Sequence, residues 1–249
     1  MRYGDLGDGS LGKVVQDLTR GRVRAGFRAH LDPDLDSSLL ARQQGWRPAF
    51  GQTGAAQAHL DAHGIGPGDL FLFFGWFRDV DQARDGKWRF LPSGRNLHAI
   101  FGWLQVGQVL KLPLGVASEW EQFPWLCNHP HVRRGAEPGN TVYIAADRFA
   151  LPAVGDTGLP GAGIFLRASQ TIFLTGKLST SRSFWQLPGW FAPSEGRPAL
   201  TYHADPARWT RTGDEVLLRS VARGQEFILD CADRPEAQGW LTDLLNAAS

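Results

Sequence analysis

Seven residues, His30-Leu31-Asp32-Pro33-Asp34-Leu35-Asp36, hold the densest set of groups able to do chemistry in this chain. Three acids at alternate positions around a proline form a rigid turn. Such a turn can place one carboxylate as a general base or charge stabiliser, or hold a divalent cation. The spacing resembles the opening of a calcium loop, but that loop's Gly and distal Glu are missing. A solvated turn whose Asp caps a helix is the plainer reading. Asp32 and Asp34 stand as the candidate catalytic carboxylates, with His30 as a neighbouring substrate contact.

Gln52 is the third candidate catalytic residue. It follows Phe50-Gly51 just ahead of an Ala-rich segment, near a helix N-terminus, and its amide can both donate and accept at a base edge. Capping the helix is its plainer role. His129-Pro130-His131 lies close to Arg133 and Arg134. Two histidines around a proline can ligate a metal, but no third ligand accompanies them. A surface loop with two DNA-facing arginines is expected, with neither a metal nor any other cofactor. Tyr202-His203 and Arg223-Gly224-Gln225-Glu226 make a second polar set beside the strand-like Phe227 to Leu229. His203, Arg223, Gln225 and Glu226 are candidate substrate contacts; a structural Arg223–Glu226 contact is the alternative.

Aromatic residues supply stacking surface. Leu70 to Phe74, entered through Gly66-Pro67-Gly68, reads as a buried strand, and it runs on into Trp76, Phe77 and Arg78. A second Phe-Gly-Trp follows at Phe101 to Trp103. Phe74, Trp76 and Trp103 are expected to hold a base, with Arg78 clamping its phosphate. The segment FWQLPGWF, Phe184 to Phe191, is broken by proline and expected to be irregular and near the surface. There Trp185 and Trp190 would wedge into a duplex or stack on a displaced base.

Absences narrow the chemistry. No phosphate-cradling loop ending in Lys-Ser/Thr occurs, no GxGxxG, no GxSxG elbow and no HExxH. Any reaction therefore runs on carboxylates, amides, histidine and arginine.

The positioning elements follow from pattern. Helices are expected at Lys13 to Thr19, at Thr53 to His63 with Gly64 closing it, and at Pro235 to Ala247. Strands are expected at Leu70 to Phe77, Leu97 to Leu110, Thr141 to Ala145, Gly163 to Arg167, Thr171 to Thr175 and Val216 to Leu218. Gly102 and Gly107 inside the second strand predict bulges or a close approach of another segment. Asp79 to Gly94 and Pro152 to Gly163 read as loops. Strands outnumber helices without alternating with them, which predicts α+β with a mixed, largely antiparallel sheet and flanking helices. No linker or repeat divides residues 1–249, so a single domain is expected.

Composition is that of a globular chain: 249 residues, 43% hydrophobic and net charge +1, with no global basic field for nonspecific nucleic-acid binding. Of 26 cations, 22 are arginine, which suits bidentate phosphate contacts as well as a GC-rich coding sequence. Two distant cysteines point to a reducing, cytoplasmic compartment, and no apolar run has membrane-spanning length.

HLDPDLD at His30, GWRPAFGQTGAAQAHL at Gly45, GIGPGDLFLFFGWFR at Gly64, HAIFGWLQVGQVL at His98, HPH at His129, NTVYIA at Asn140, SFWQLPGWF at Ser183, TYHADPARWT at Thr201 and RGQEFILD at Arg223 together resemble the nucleotide modification associated domain 3 family. The likeness runs from about Gly4 to Asp230. Members of that family usually open with a strand and a Ser-Arg-Lys-Gly-Phe-Asp-Ser type segment, whereas this chain opens at Met1-Arg2-Tyr3. Any role of that segment is expected to be filled otherwise, or the chain to be a divergent member. The resemblance implies phage and bacterial systems that make or respond to modified DNA bases. A DNA glycosylase acting on a flipped, hypermodified base in anti-phage defence fits the residues best. A non-catalytic reader and a base-modifying transferase are the alternatives; no donor-binding motif accompanies the last.

Overall fold

The computed structural model describes residues 1–115, 117–134, 137–152, 154–221 and 226–246. A first helix, α1 (Ser10–Leu18), precedes the turn at residues 30–36 and strand β1 (Ala49–Gln52). Helix α2 (Gly54–Ala62) follows, with Thr53 extended at its N-cap and Gly64 at φ +68° just past its end, a left-handed stop that glycine adopts freely. Then come β2 (Leu70–Arg78), β3 (Val80–Gln82), β4 (Trp88–Phe90) and the 16-residue β5 (Asn96–Lys111). Two short helices, α3 (Ala117–Gln122) and α4 (Pro130–Arg133), lead to β6 (Thr141–Ala145), β7 (Arg148–Leu151), β8 (Gly155–Pro160) and β9 (Ala162–Ile164). The C-terminal part holds β10 (Phe184–Pro188), β11 (Trp209–Thr212), β12 (Glu215–Arg219) and α5 (Glu236–Asn246).

The main sheet has the order β1-β6-β5-β2, with β9 also pairing β5, and it curls into a half-barrel. Every strand pairing among the described residues is antiparallel, so the fold is α+β with antiparallel sheets. Strand β5 is long enough to pair β2 with its first half and β6 with its second. Its two glycines have separate reasons. A Cβ on Gly102 would lie 2.6 Å from Leu35 and 2.8 Å from the Gly163 carbonyl, so another strand and the 30–36 turn both press on it. Gly107 sits at the bulge between Val106 and Gln108.

Strand β6 is buried on both faces. Tyr143 and Ala145 join Leu35, Leu60 and Leu104 on one side, while Val142 and Ile144 meet Ala49, Leu112 and Trp125 on the other. With no solvent face it needs no alternation, which is why NTVYIA reads as a continuous apolar run. A separate three-stranded sheet, β10-β12-β11, packs its Trp185, Leu187, Val216 and Leu218 with Leu244 of α5. No described helix is long and apolar enough to cross a membrane.

Four expectations are corrected. Asp79 to Gly94 is not a plain loop, because β3 and β4 pair across it as a hairpin. Pro152 to Gly163 likewise contains β8, paired to β7. Thr171 to Thr175 is a 3-10 turn and isolated bridges in place of a strand. Phe184 to Pro188 is a regular strand, its proline tolerated because the strand lies at the edge of its sheet.

Candidate functional site

Asp32 is the centre of the most unusual side-chain arrangement. The backbone of Asp34 exchanges hydrogen bonds with Ala49 (2.8 and 3.0 Å), which lays the turn along β1 and sets Asp32 beside Gly51. The Gly51 N–H then donates to Asp32 Oδ1 at 2.9 Å. From the other side a 3-10 turn (Pro124–Asn128) delivers His129 as the N-cap of α4. His131 Nε2 lies 3.1 Å from Asp32 Oδ2, His30 Nε2 lies 3.6 Å from the same oxygen, and His129 Nε2 lies 3.8 Å from Oδ1. The Asp32 side chain is only 4% exposed, while that of His30 is half exposed at the rim.

The hydrogen-bond network assigns the histidine tautomers. Asn140 Nδ2 donates to the His131 carbonyl at 2.8 Å, which turns its Oδ1 toward His131 Nδ1 at 2.6 Å. His131 Nδ1 is thus the donor, and Nε2 is aimed at Asp32. His129 Nδ1 accepts from the His131 N–H at 3.3 Å, leaving the proton on a buried Nε2 that has no hydrogen-bond partner. Burial pushes the His129 pKa down. Burial acts the same way on His131, but hydrogen bonds to Asp32 and Asn140 outweigh it and the net shift is upward.

Asp34 plays a different part. Both of its oxygens accept from the Arg42 guanidinium at 2.7 Å, and Trp46 Nε1 approaches at 3.4 Å. Arg42 also donates to the Asp36 carbonyl and stacks over Trp46, 4.0 Å from the ring centroid. The pair forms one wall of a cleft of about 430 Å³ whose other walls include Trp125, Gln43, His129 and Arg133. His129 belongs to both structures, lining the cleft and facing Asp32 with Nε2.

Gln52 is drawn elsewhere. Its Nε2 donates to Glu226 and its Oε1 accepts from the N–H of Thr53, the N-cap residue, at 2.9 Å; it reaches no N–H of the helix's first turn, so the capping role is not realised. Arg223 and Gln225 lie outside the described residues.

The expected stacking platform is dispersed. Trp103 is 4% exposed and packs in the core, its Nε1 donating to the Pro160 carbonyl at 3.2 Å. Trp185 is also buried, donating to His98 Nδ1 at 2.9 Å, and cannot wedge into DNA. Phe74 packs against Trp185 and Phe227, Trp190 stacks on Phe191, and His203 is fully buried, accepting from the Val221 N–H. These residues build the fold. Trp76 alone of the candidate tryptophans is open, at 62% exposure, with Arg182 lying over its ring. Arg78 donates to the Leu91 carbonyl beside the β3–β4 hairpin. Arg133 bonds Asn128 at 2.6 Å and lines the cleft, while Arg134 pairs with Glu137 at 3.5 Å.

The expected surface loop at His129 to His131 is therefore a correction: both histidines are buried. Their partners Asp32 and His30 lie 97 residues or more away in the chain, so no local spacing marks the set. Arg42, Trp46, Trp125 and Asn140 carried no signal of their own.

Residues 1–230 match the nucleotide modification associated domain 3 family, and the chain belongs to it. The matched span contains the whole Asp32 cluster and the cleft. No curated protein and no solved structure matches the chain. Membership ties the protein to a role related to modified nucleotides.

Proposed function

We propose that the protein removes a modified base from DNA by hydrolysing its N-glycosidic bond. What supports this reading is a buried carboxylate, Asp32, held 3.1 Å from His131 and one histidine away from a cleft walled by tryptophans and arginines. A cleft of about 430 Å³ has room for a flipped nucleotide. Trp46, which carries Arg42 over its ring, and Trp125 give the cleft aromatic surface, and Arg133 gives it a cation for the adjoining phosphate. In the reaction, water oxygen bonds to the sugar C1′ and the C1′–N electron pair leaves with the base. The proton released by the water ends on the base nitrogen. Asp32 stabilises the oxocarbenium-like centre or orients the water.

A bulky, sugar-decorated phage base is the substrate class proposed, since a host attacking it spares its own DNA. The test is incubation with plain and with glucosylated hydroxymethylcytosine DNA, followed by assay for alkali-labile sites. Cleavage of the modified DNA alone is expected, and its loss in Asp32→Asn. A non-catalytic reader is the second reading, favoured by one observation: Asp34, which lines the cleft, has both oxygens engaged by Arg42. Tight binding with unchanged DNA would select it.

A further inference from the structure

We propose that His30, Asp32 and His131 bind a single divalent transition-metal ion. Their donor atoms all lie within 4.8 Å of one another. Asp32 Oδ2 is 3.1 Å from His131 Nε2 and 3.6 Å from His30 Nε2. Metal bonds of about 2.0–2.1 Å to nitrogen and oxygen set tetrahedral donor–donor separations of about 3.3 Å, which these two distances bracket.

The surroundings prepare these atoms as ligands. Asn140 Oδ1 accepts from His131 Nδ1 and so turns the Nε2 lone pair toward Asp32, the outer arrangement that metal-binding imidazoles require. Gly51 occupies Asp32 Oδ1, which leaves Oδ2 facing two imidazole nitrogens. Lone pairs converging at such distances need positive charge between them. A proton on His131 serves the 3.1 Å contact but leaves the His30 contact unexplained; one ion serves both.

An independent observation points the same way. His129 is 5% exposed, and its Nε2 has no hydrogen-bond partner while facing Asp32 Oδ1 at 3.8 Å. A buried donor left unpaired is costly, and a water or hydroxide carried by the ion would give it an acceptor. Two imidazoles and one carboxylate suit zinc, iron, cobalt or nickel better than magnesium or calcium, and three protein ligands leave a position open for water.

This site deepens the proposed hydrolysis and rests on that reading only for its use: a bound ion would lower the pKa of the water that the reaction consumes. Metal binding itself is independent of it. The test strips the full chain with chelator and then titrates Zn2+ with metal quantification, and Co2+ with visible absorption. One ion per chain is expected, with cobalt bands typical of nitrogen and oxygen ligation. His30→Ala, at the half-exposed rim, keeps the fold and weakens zinc binding at least about 100-fold, since even outer-shell losses reach that scale. Asp32→Asn and His131→Gln weaken it further, and His63→Gln, outside the cluster, leaves it unchanged. No uptake by the wild-type chain, or equal uptake by wild type and His30→Ala, overturns the site. Abasic sites formed by the metal-stripped chain would sink the ion's use in the reaction and leave the glycosylase reading standing. Stoichiometric metal with no cleavage would leave the metal site standing and sink that reading.

Discussion

The imidazole of His131 packs directly against Gly51: a Cβ there would come within 2.3 Å of its Cδ2 and 2.9 Å of its Nε2. Gly51 is not in a left-handed conformation, so its side-chain absence serves this approach alone. The same residue's N–H holds Asp32. Gly51→Ala must therefore push the ring from the carboxylate or move β1. Destabilisation of about 1–3 kcal/mol is expected from the overpacking. Zinc uptake and abasic-site formation should fall together. Wild-type values for all three would remove His131 from the site.

Arg42 and Asp34 form a mostly buried ion pair, with side-chain exposures of 15% and 13%. Removing the cation leaves a carboxylate without its partner. Arg42→Met is expected to cost about 3–5 kcal/mol in urea denaturation. Asp34→Asn keeps an acceptor oxygen and should cost less, about 1–3 kcal/mol. The comparison also separates the two candidate carboxylates. Asp34→Asn should lose stability and cleft shape, whereas Asp32→Asn should lose chemistry. If Asp34→Asn abolished cleavage at wild-type stability, Asp34 would regain a direct role.

Asn140 positions His131 through its Oδ1 at 2.6 Å. Asn140→Ala leaves the imidazole present but without an orienting partner. A drop of about 10–100-fold in kcat, with KM little changed, is the expected result in steady-state cleavage assays. Asn140→Asp, which keeps an acceptor, should restore much of it. Equal loss in both variants would mean that Asn140 acts through folding and not through the ring.

How far the chain announced this arrangement differs from part to part. The strand at Leu70 and the helix at Thr53 were legible because periodicity, Gly-Pro-Gly and Gly64 are local signals. The hairpin at Val80 to Phe90 was not, since its strands are three residues each and mostly exposed, too short for the Trp88-Arg89-Phe90 alternation to stand out. In the site, Asp32 stood out because three acids around a proline are unusual. Its histidine partners did not, because a cluster assembled by laying the 30–36 turn and α4 against β1 leaves no spacing in the sequence. Trp103 and Trp185 misled for the opposite reason: composition cannot tell a buried tryptophan whose N–H finds a carbonyl or an imidazole from one that waits for a base.

Two histidines outside the site make stability depend on pH. Burial lowers the pKa of His98, which accepts from Trp185 Nε1, and of His203, which accepts from the Val221 N–H. A proton on either acceptor nitrogen breaks its bond. Because both folded pKa values lie below the ordinary value near 6.5, the unfolded chain takes up protons first. Their contribution is therefore complete above about pH 6.5 and is lost as pH falls through the folded values. Thermal unfolding should show Tm falling from pH 7.5 to 5.5, with part of that slope removed in His203→Gln. A Tm that rises over this interval contradicts the assignment.

If the cleft at Trp46 and Arg133 receives DNA, its cation should be felt in the salt dependence of binding. Among the described residues Arg133 bonds Asn128 and, weakly, the Cys127 carbonyl, and its exposed side chain can be removed without disturbing the core. Arg133→Ala should lower the slope of log K against log salt by about one unit on plain and modified DNA alike, as for one lost phosphate contact. Trp76 gives the contrasting case. Its ring is open but covered by Arg182 and tied to Asn96, and it does not line the cleft. Trp76→Ala should therefore leave the preference for modified over plain DNA unchanged. Loss of that preference in Trp76→Ala, with Arg133→Ala silent, would move the base from the cleft to the far end of β2.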